Sequence, residues 1–199
     1  MTASDQPVGE VVESSTPQFT VACYRLYEAP AFGALVRASL PGHGGWVYGV
    51  VYDVSTGSEP PGAMATVRGR VDLRDDAVYQ AYPDLREIMR TRFMALAVGF
   101  VEAGAIRQYL PPQPPPLHYA AYVCDGDEVR GFTERLDYLR TILMDQHIPA
   151  DELAAATIRQ ARESRPNDPT FALRAGRQLA GLLKEEYDRL RAILARIGV

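Results

Sequence analysis

The chain has 199 residues, of which 47% are hydrophobic and 23% charged, and its net charge is −4. These values are ordinary for a soluble globular protein with a sizeable core, and they do not indicate a polycation that binds nucleic acid through gross charge. The first residues lack the basic and apolar regions of a secretory signal, and no apolar run approaches the roughly 18 residues of a membrane-spanning helix. We therefore expect a cytoplasmic protein without a membrane span, with Cys23 and Cys124 as buried free thiols.

The first part of the chain is predicted to form β-strands. Runs at 8–12 and 18–24 flank a Ser-Ser-Thr-Pro turn, and the second run alternates apolar with polar residues. Runs at 32–40 and 46–54 flank a glycine-rich turn and predict a hairpin. In the second arm of that hairpin both alternating faces are largely apolar, which predicts a central strand.

Shorter elements follow the hairpin. A β-like patch is expected at 65–71, and a polar stretch then leads into a short helix that Asp84 caps. The run at 93–110 predicts a strand pair, and the run at 117–124 predicts a closing strand. Between these two lies PPQPPP, which lacks the N–H groups of a central strand and is expected to be a stiff connector. A PxxP ligand for another protein is the alternative for this segment.

From Asp125 onward, apolar residues recur at helical spacing. The pattern predicts about three helices, one in each of the runs at 128–145, 149–164 and 168–197. In the last of these, apolar residues at steps of three and four form a stripe, with charges elsewhere. The stripe consists of Leu179, Leu183, Tyr187, Leu190, Leu194 and Ile197.

No motif in the chain assigns a catalytic, cofactor-binding or metal-binding residue. GSEPPGAM, from Gly57, has the glycine spacing of a P-loop, but it lacks the lysine and the hydroxyl that hold phosphate and Mg²⁺. DGDE, from Asp125, is read as a turn and an acidic helix start. No histidine has a metal-ligand companion at short spacing. The three histidines are His43, His118 and His147, and the paired acids considered for a metal are Asp72, Asp75 and Asp76.

The β-rich part resembles a HAS-barrel, the small β-barrel at the amino end of HerA-type DNA translocases and of F-type ATP synthase catalytic subunits. The family opens with V-G-x-V, carries x-G-x-V on a return strand and has a proline-rich segment before its exit. These features match 8–11, 48–51 and 111–116 of this chain, and the resemblance covers 8–124. It implies an α+β protein with an N-terminal barrel of about six strands (8–124), a flexible N-terminus (1–7) and a helical C-terminal region (125–199).

The resemblance implies the function of the barrel and not that of the ATPase motor, because the chain contains no Walker A lysine. In the family, barrels pack side by side on an ATPase ring and offer a docking surface. We therefore expect a non-enzymatic adaptor without a cofactor, which docks on a HerA-type ATPase or an associated nuclease in DNA processing or associates with itself. Contact with nucleic acid is expected to be indirect. The candidate contact residues lie on the last helix, and they are Leu179, Leu183, Leu190, Leu194, Arg177 and Arg191.

Three alternatives stay open. The apolar stripe packs within its own chain rather than against a partner. The barrel binds single-stranded nucleic acid through exposed rings, although most of these rings are expected to fill the barrel. The paired acids form a metal-dependent nuclease, the least favoured of the three. The rings in question are Tyr24, Tyr27, Phe32, Trp46, Tyr48 and Tyr52.

Overall fold

A computed structural model describes residues 6–42, 45–59 and 66–198. Seven strands and seven helices are present in this part of the chain. The strands are β1 Gly9–Ser14, β2 Gln18–Cys23, β3 Leu35–Ser39, β4 Trp46–Ser58, β5 Met89–Glu102, β6 Ala105–Arg107 and β7 Ala120–Val123. The helices are α1 Asp76–Ala81, α2 Leu85–Ile88, α3 Gly126–Phe132, α4 Tyr138–Met144, α5 Ala150–Glu163, α6 Phe171–Leu182 and α7 Tyr187–Ile197.

Six of the strands close into a barrel. They follow the order β2-β1-β7-β3-β4-β5, and β5 pairs back onto β2. Strand β6 extends the far end of β5. The predicted hairpin β3–β4 is an antiparallel pair, as are β1 and β2, and β7 closes the barrel between β1 and β3 as a strand in 117–124 was expected to do. The prediction of an α+β protein with an N-terminal barrel is confirmed.

The barrel has its own apolar interior. Buried side chains from strands β1 to β5 and β7 fill it, with Phe19 and Phe93 as its aromatic rings. Gly49 is required at the centre of β4, because a Cβ there would lie 2.8 Å from the Phe19 ring and 2.9 Å from the Ala95 methyl. Its neighbours Val47 and Val51 are fully buried on the same face.

A second core lies between the outer wall of β3–β5 and the helices. Tyr48 and Val50 project from β4 into this core, opposite to Val47 and Val51. Both faces of β4 are thus covered from Val47 to Val51, and β4 pairs with β3 and β5, which confirms its predicted central position. The buried helical side chains that meet the wall include Phe132, Leu139, Ile142, Leu153 and Ile158.

The segment between β4 and β5 departs from the expectation. In place of a β-like patch, the described residues 66–71 hold a single bridge between Arg70 and Leu73, and the helix α1 was not anticipated. The short helix α2 is present, but the Asp84 side chain makes no capping hydrogen bond. It ends at Ile88 because Met89 pairs with Ser58 of β4 and starts a strand. Pairing between distant strands here overrides the helical spacing of the sequence.

The described part of the helical region has five helices, where about three were predicted. The first predicted helix divides into α3 and α4. The side-chain amide of Gln108 donates to the carbonyls of Phe132 and Arg135, at 2.6 and 3.1 Å, and accepts from the Tyr138 amide at 3.2 Å. These bonds satisfy backbone groups that a continuous helix would have paired internally.

The last predicted helix divides into α6 and α7 at Leu183, which is buried. The break turns α7 back so that it packs against α5 and α6. The flexible N-terminus expected at 1–7 lies outside the described residues except for 6–7, and the division into domains stays a prediction.

Candidate interaction surfaces

The apolar stripe of the last two helices faces its own chain. Leu179 and Leu183 are buried in the outer core, and Leu190 and Leu194 are half-buried against it. Tyr187 alone among the six stripe residues is mostly exposed, at 70%. These positions favour the alternative in which the four leucines pack within the chain.

The two arginines predicted to contact a partner, Arg177 and Arg191, lie on exposed positions of α6 and α7. Helix α7 is fastened by a third arginine, Arg189, which donates to the Asp151 carboxylate at 2.6 Å and to the Leu143 carbonyl at 3.2 Å. This arrangement fixes α7 on α4 and α5. A contact role for Arg177 and Arg191 stays a prediction.

A buried arginine joins the barrel to the helices, and sequence reasoning missed it. The Arg37 guanidinium of β3 lies 4.0 Å from the Trp46 ring centroid and 4.7 Å from that of Tyr122. Its Nε lies 2.6 Å from Oε1 of Glu128. We call this group the Arg37 sandwich. An arginine inside the otherwise apolar run ALVRASL was the available signal, because a buried charge needs a partner.

Glu128 serves both the sandwich and the start of α3. Its Oε2 accepts from the Asp125 amide at 3.1 Å, while its own amide donates to the Asp125 side chain at 2.8 Å. The pair forms a capping box, which satisfies backbone N–H groups at the helix start. The interpretation of DGDE as a turn and an acidic helix start is confirmed.

One wall of the barrel carries no helices. Among the described residues, none from β1, β2 or β7 belongs to the outer core. The outward positions of these strands alternate with interior residues and include Glu10, Val12, Ala22 and Ala120. Glu10 pairs in register with Ala22 on one side and with Ala120 on the other. We call this surface the open wall; Ala22 and Ala120 are small, and the Glu10 carboxylate between them accepts from the Tyr24 hydroxyl at 3.1 Å.

The proline run lies across one end of the barrel. Pro111 and Pro115 are buried, and the Ser14 hydroxyl donates to the Pro115 carbonyl at 2.6 Å. Each PxxP pair, 111 with 114 and 112 with 115, therefore has one member turned into the protein. A PxxP ligand presents both prolines to its receptor, so the structure favours the stiff connector.

The six rings considered for base stacking are dispersed. None lies in the barrel interior, so the expectation that most of them fill the barrel was wrong. Tyr48 is buried under the helices and Trp46 belongs to the Arg37 sandwich. Tyr24 and Tyr27 are exposed at 55% and 58% and lie near one another after β2.

The paired acids are not gathered around a common point. Asp72 pairs with Arg70 at 3.1 Å, while Asp75 and Asp76 open α1. Within the described ranges, no group of three or more His, Cys, Asp or Glu residues is placed to hold a metal ion.

The histidines and GSEPPGAM offer no further site. His118 and His147 are exposed beside single carboxylates, at 3.4 Å from Glu10 and 3.6 Å from Asp145. His43 and the part of GSEPPGAM from residue 60 to 64 lie outside the described residues.

Both thiols are buried, and burial disfavours their charged thiolate form. Burial raises the pKa of Cys23 to about 11, and burial likewise raises the pKa of Cys124, with the Glu128 carboxylate adding to the effect. A thiol acts as a nucleophile through its thiolate. Neither cysteine is therefore suited to covalent chemistry in the folded protein.

A closed six-stranded barrel followed by helices defines the class of this protein. The family model of the HAS barrel domain matches residues 8–92. Residues 8–92 thus match the HAS barrel domain family, as the motifs of the chain indicated. The matched segment ends inside β5, and the strands that complete the barrel continue to Val123.

No curated protein matches the chain. In the part of the chain that the structure describes, every helix is too short or too polar to cross a bilayer.

Proposed function

We propose that this protein is a non-catalytic assembly module that docks on, or oligomerises with, a HerA-type ATPase or an associated nuclease complex in DNA processing. The HAS barrel domain at 8–92 carries the proposal. In the sequence this barrel is followed by helices, and Lys184, the single lysine, does not stand in a P-loop motif. The chain accordingly contributes a barrel to an assembly rather than the motor.

The open wall is the surface that we assign to docking. Helices α3 to α7 pack on the opposite side of the barrel, against β3–β5. On the open wall, Glu10 lies between the small side chains of Ala22 and Ala120, and its carboxylate is also approached by the Tyr24 hydroxyl at 3.1 Å and by His118 at 3.4 Å. A sheet face with small, aromatic and charged side chains resembles a protein–protein interface more than it resembles a deep ligand pocket.

The test combines co-purification with substitution of the open wall. Tagged protein is recovered from its native cells at low salt, and stoichiometric partners are identified by mass spectrometry. We expect a HerA-type ATPase or its nuclease, and we expect Ala120→Arg to abolish the recovery. The matched control is Ala180→Arg, because Ala180 lies exposed on α6, away from the open wall.

Two results contradict the proposal. In the first, the protein is recovered alone and light scattering finds a monomer at high concentration. In the second, a partner is recovered equally with Ala120→Arg and with wild type, which refutes the assignment of the open wall. Circular dichroism and thermal melting establish that both variants fold.

A further inference from the structure

A cleft of about 410 Å³ lies between the loop that follows β2 and the helices α1 and α2. Its walls include Tyr24, Tyr27 and Tyr79, and we call it the tyrosine cleft. The Tyr27 and Tyr79 rings meet edge to face with centroids 6.0 Å apart, and their hydroxyl groups are in contact. The Arg86 guanidinium lies 5.8 Å from the Tyr79 ring centroid. Three phenol rings thus surround one concave surface.

The position of Tyr27 is fixed at a conformational cost. Its backbone has φ of 66°, in the left-handed region that a residue with a large side chain rarely adopts. The Tyr27 amide donates to the Thr91 hydroxyl at 2.7 Å, and that hydroxyl lies 2.8 Å from the Thr56 hydroxyl. Thr91 is buried, so these bonds tie the loop to the β4–β5 ribbon. Strain of this kind, held by surrounding bonds, is common where a side chain is placed for binding.

The charges that line the cleft cancel. Arg25 and Glu28 form an exposed pair at 3.3 Å, and Arg86 and Asp76 also line the cleft, with one charge of each sign. The whole chain has a net charge of −4. A polyanion such as single-stranded nucleic acid gains its affinity from unbalanced positive charge, so the electrostatics favour an uncharged ligand.

We propose that the tyrosine cleft binds a proline-rich segment of a partner protein in the polyproline II conformation. Such a segment is preformed, carries no internal hydrogen bonds and exposes its carbonyl groups. Grooves lined by aromatic rings accept the proline rings, and hydroxyl donors pair with the carbonyls. Because the Tyr27 and Tyr79 hydroxyls bind each other, one proton is left to donate to the ligand. The inference concerns a surface other than the open wall and goes beyond the proposed assembly role.

The experiment uses the full chain and a fluorescein-labelled decaproline peptide, with anisotropy as the readout. We expect saturable binding that Tyr79→Ala weakens by about tenfold or more, as truncation of a central aromatic contact does. Tyr79→Phe keeps the ring and frees the Tyr27 hydroxyl proton to donate to the ligand, so it is expected to bind within about twofold of wild type. The matched control is Tyr187→Ala, because this tyrosine is exposed on α7, away from the cleft.

Three outcomes overturn the inference. The first is the absence of saturable binding to decaproline by wild-type protein. The second is binding that Tyr79→Ala does not weaken while melting shows that this variant remains folded. The third is binding of labelled oligothymidylate in place of decaproline, which would assign the cleft to nucleic acid.

Discussion

Removal of the Arg37 side chain is expected to weaken the junction between barrel and helices. The Arg37 side chain is 10% exposed and its partner Glu128 is 26% exposed, so the pair is shielded from water on most sides. Loss of one partner from a fully buried pair costs about 3–5 kcal/mol, and loss of the stacking on Trp46 and Tyr122 adds about 0.5–2 kcal/mol. Because the Glu128 carboxylate is partly exposed to water, the loss of its ion-pair partner costs less than it would in a fully buried pair. We therefore expect Arg37→Ala to lower the free energy of unfolding by about 2–4 kcal/mol.

Chemical denaturation monitored by fluorescence measures this loss directly. Trp46 is the single tryptophan of the chain and lies in the Arg37 sandwich, so its emission reports the junction itself. Arg37→Ala exposes more of the indole to water and is expected to shift its emission to longer wavelength. The melting temperature is expected to fall by roughly 5–15 °C for a chain of this length.

A double-mutant cycle isolates the ion pair from the stacking. Arg37→Met keeps an aliphatic stem against the rings of Trp46 and Tyr122, which meet edge to face with centroids 5.6 Å apart. Glu128→Gln keeps a side-chain acceptor for the capping box. We expect a coupling of about 1–3 kcal/mol that persists in salt, since a shielded pair is weakly screened. The exposed pair Arg70–Asp72 is the control, and Arg70→Ala is expected to cost less than about 0.5 kcal/mol. A coupling below about 0.5 kcal/mol, with unchanged Trp46 emission, would refute the reasoning.

Three further perturbations test the two cores. Leu179→Ala is expected to cost about 2–5 kcal/mol in a denaturant melt, because Leu179 is fully buried; a similar cost for the half-exposed Leu173→Ala would contradict this. Gly49→Ala places a Cβ within 2.9 Å of two barrel side chains and is expected to lower the free energy of unfolding by about 1–3 kcal/mol. A variant as stable as wild type would show that the barrel interior accommodates the added methyl group. The raised pKa values of Cys23 and Cys124 favour the neutral thiol in the folded state. The contribution of these thiols to the free energy of unfolding is therefore fully present below the thiol pKa of the unfolded chain, and it falls as the pH rises from about 9 towards 11. Denaturant melts across this range check the direction of the change. Rapid thiol labelling of the folded protein at pH ~8 would contradict the burial of the thiols.

Local patterns were sufficient for most strands. Alternation identified β2, and apolar residues on both faces of 46–54 identified β4 as central, because a strand with two buried faces loses the polar half of its alternation. The proline run identified a connector, since proline lacks the N–H that a central strand donates. These signals depend on residues a few positions apart, and the sequence displays them directly.

Contacts between distant residues decided the rest. Helical spacing continues through 133–137, but the amide of Gln108 interrupts the helix there, and the run at 84–93 ends as a strand because Met89 meets Ser58. The apolar stripe was visible in the sequence, but only packing showed that Leu179 lies in the core of its own chain.

The sequence by itself determined the barrel and the presence of helices after it, because period and turn chemistry are local properties. The tertiary structure alone decided which surfaces remain free. The helices could have covered either side of the barrel, and they cover β3–β5 and leave the open wall. The Arg37 sandwich and the tyrosine cleft likewise bring together residues far apart in the chain. The burial of a side chain depends on all the residues that pack around it, and many of these are distant in the sequence, so no local pattern specifies it.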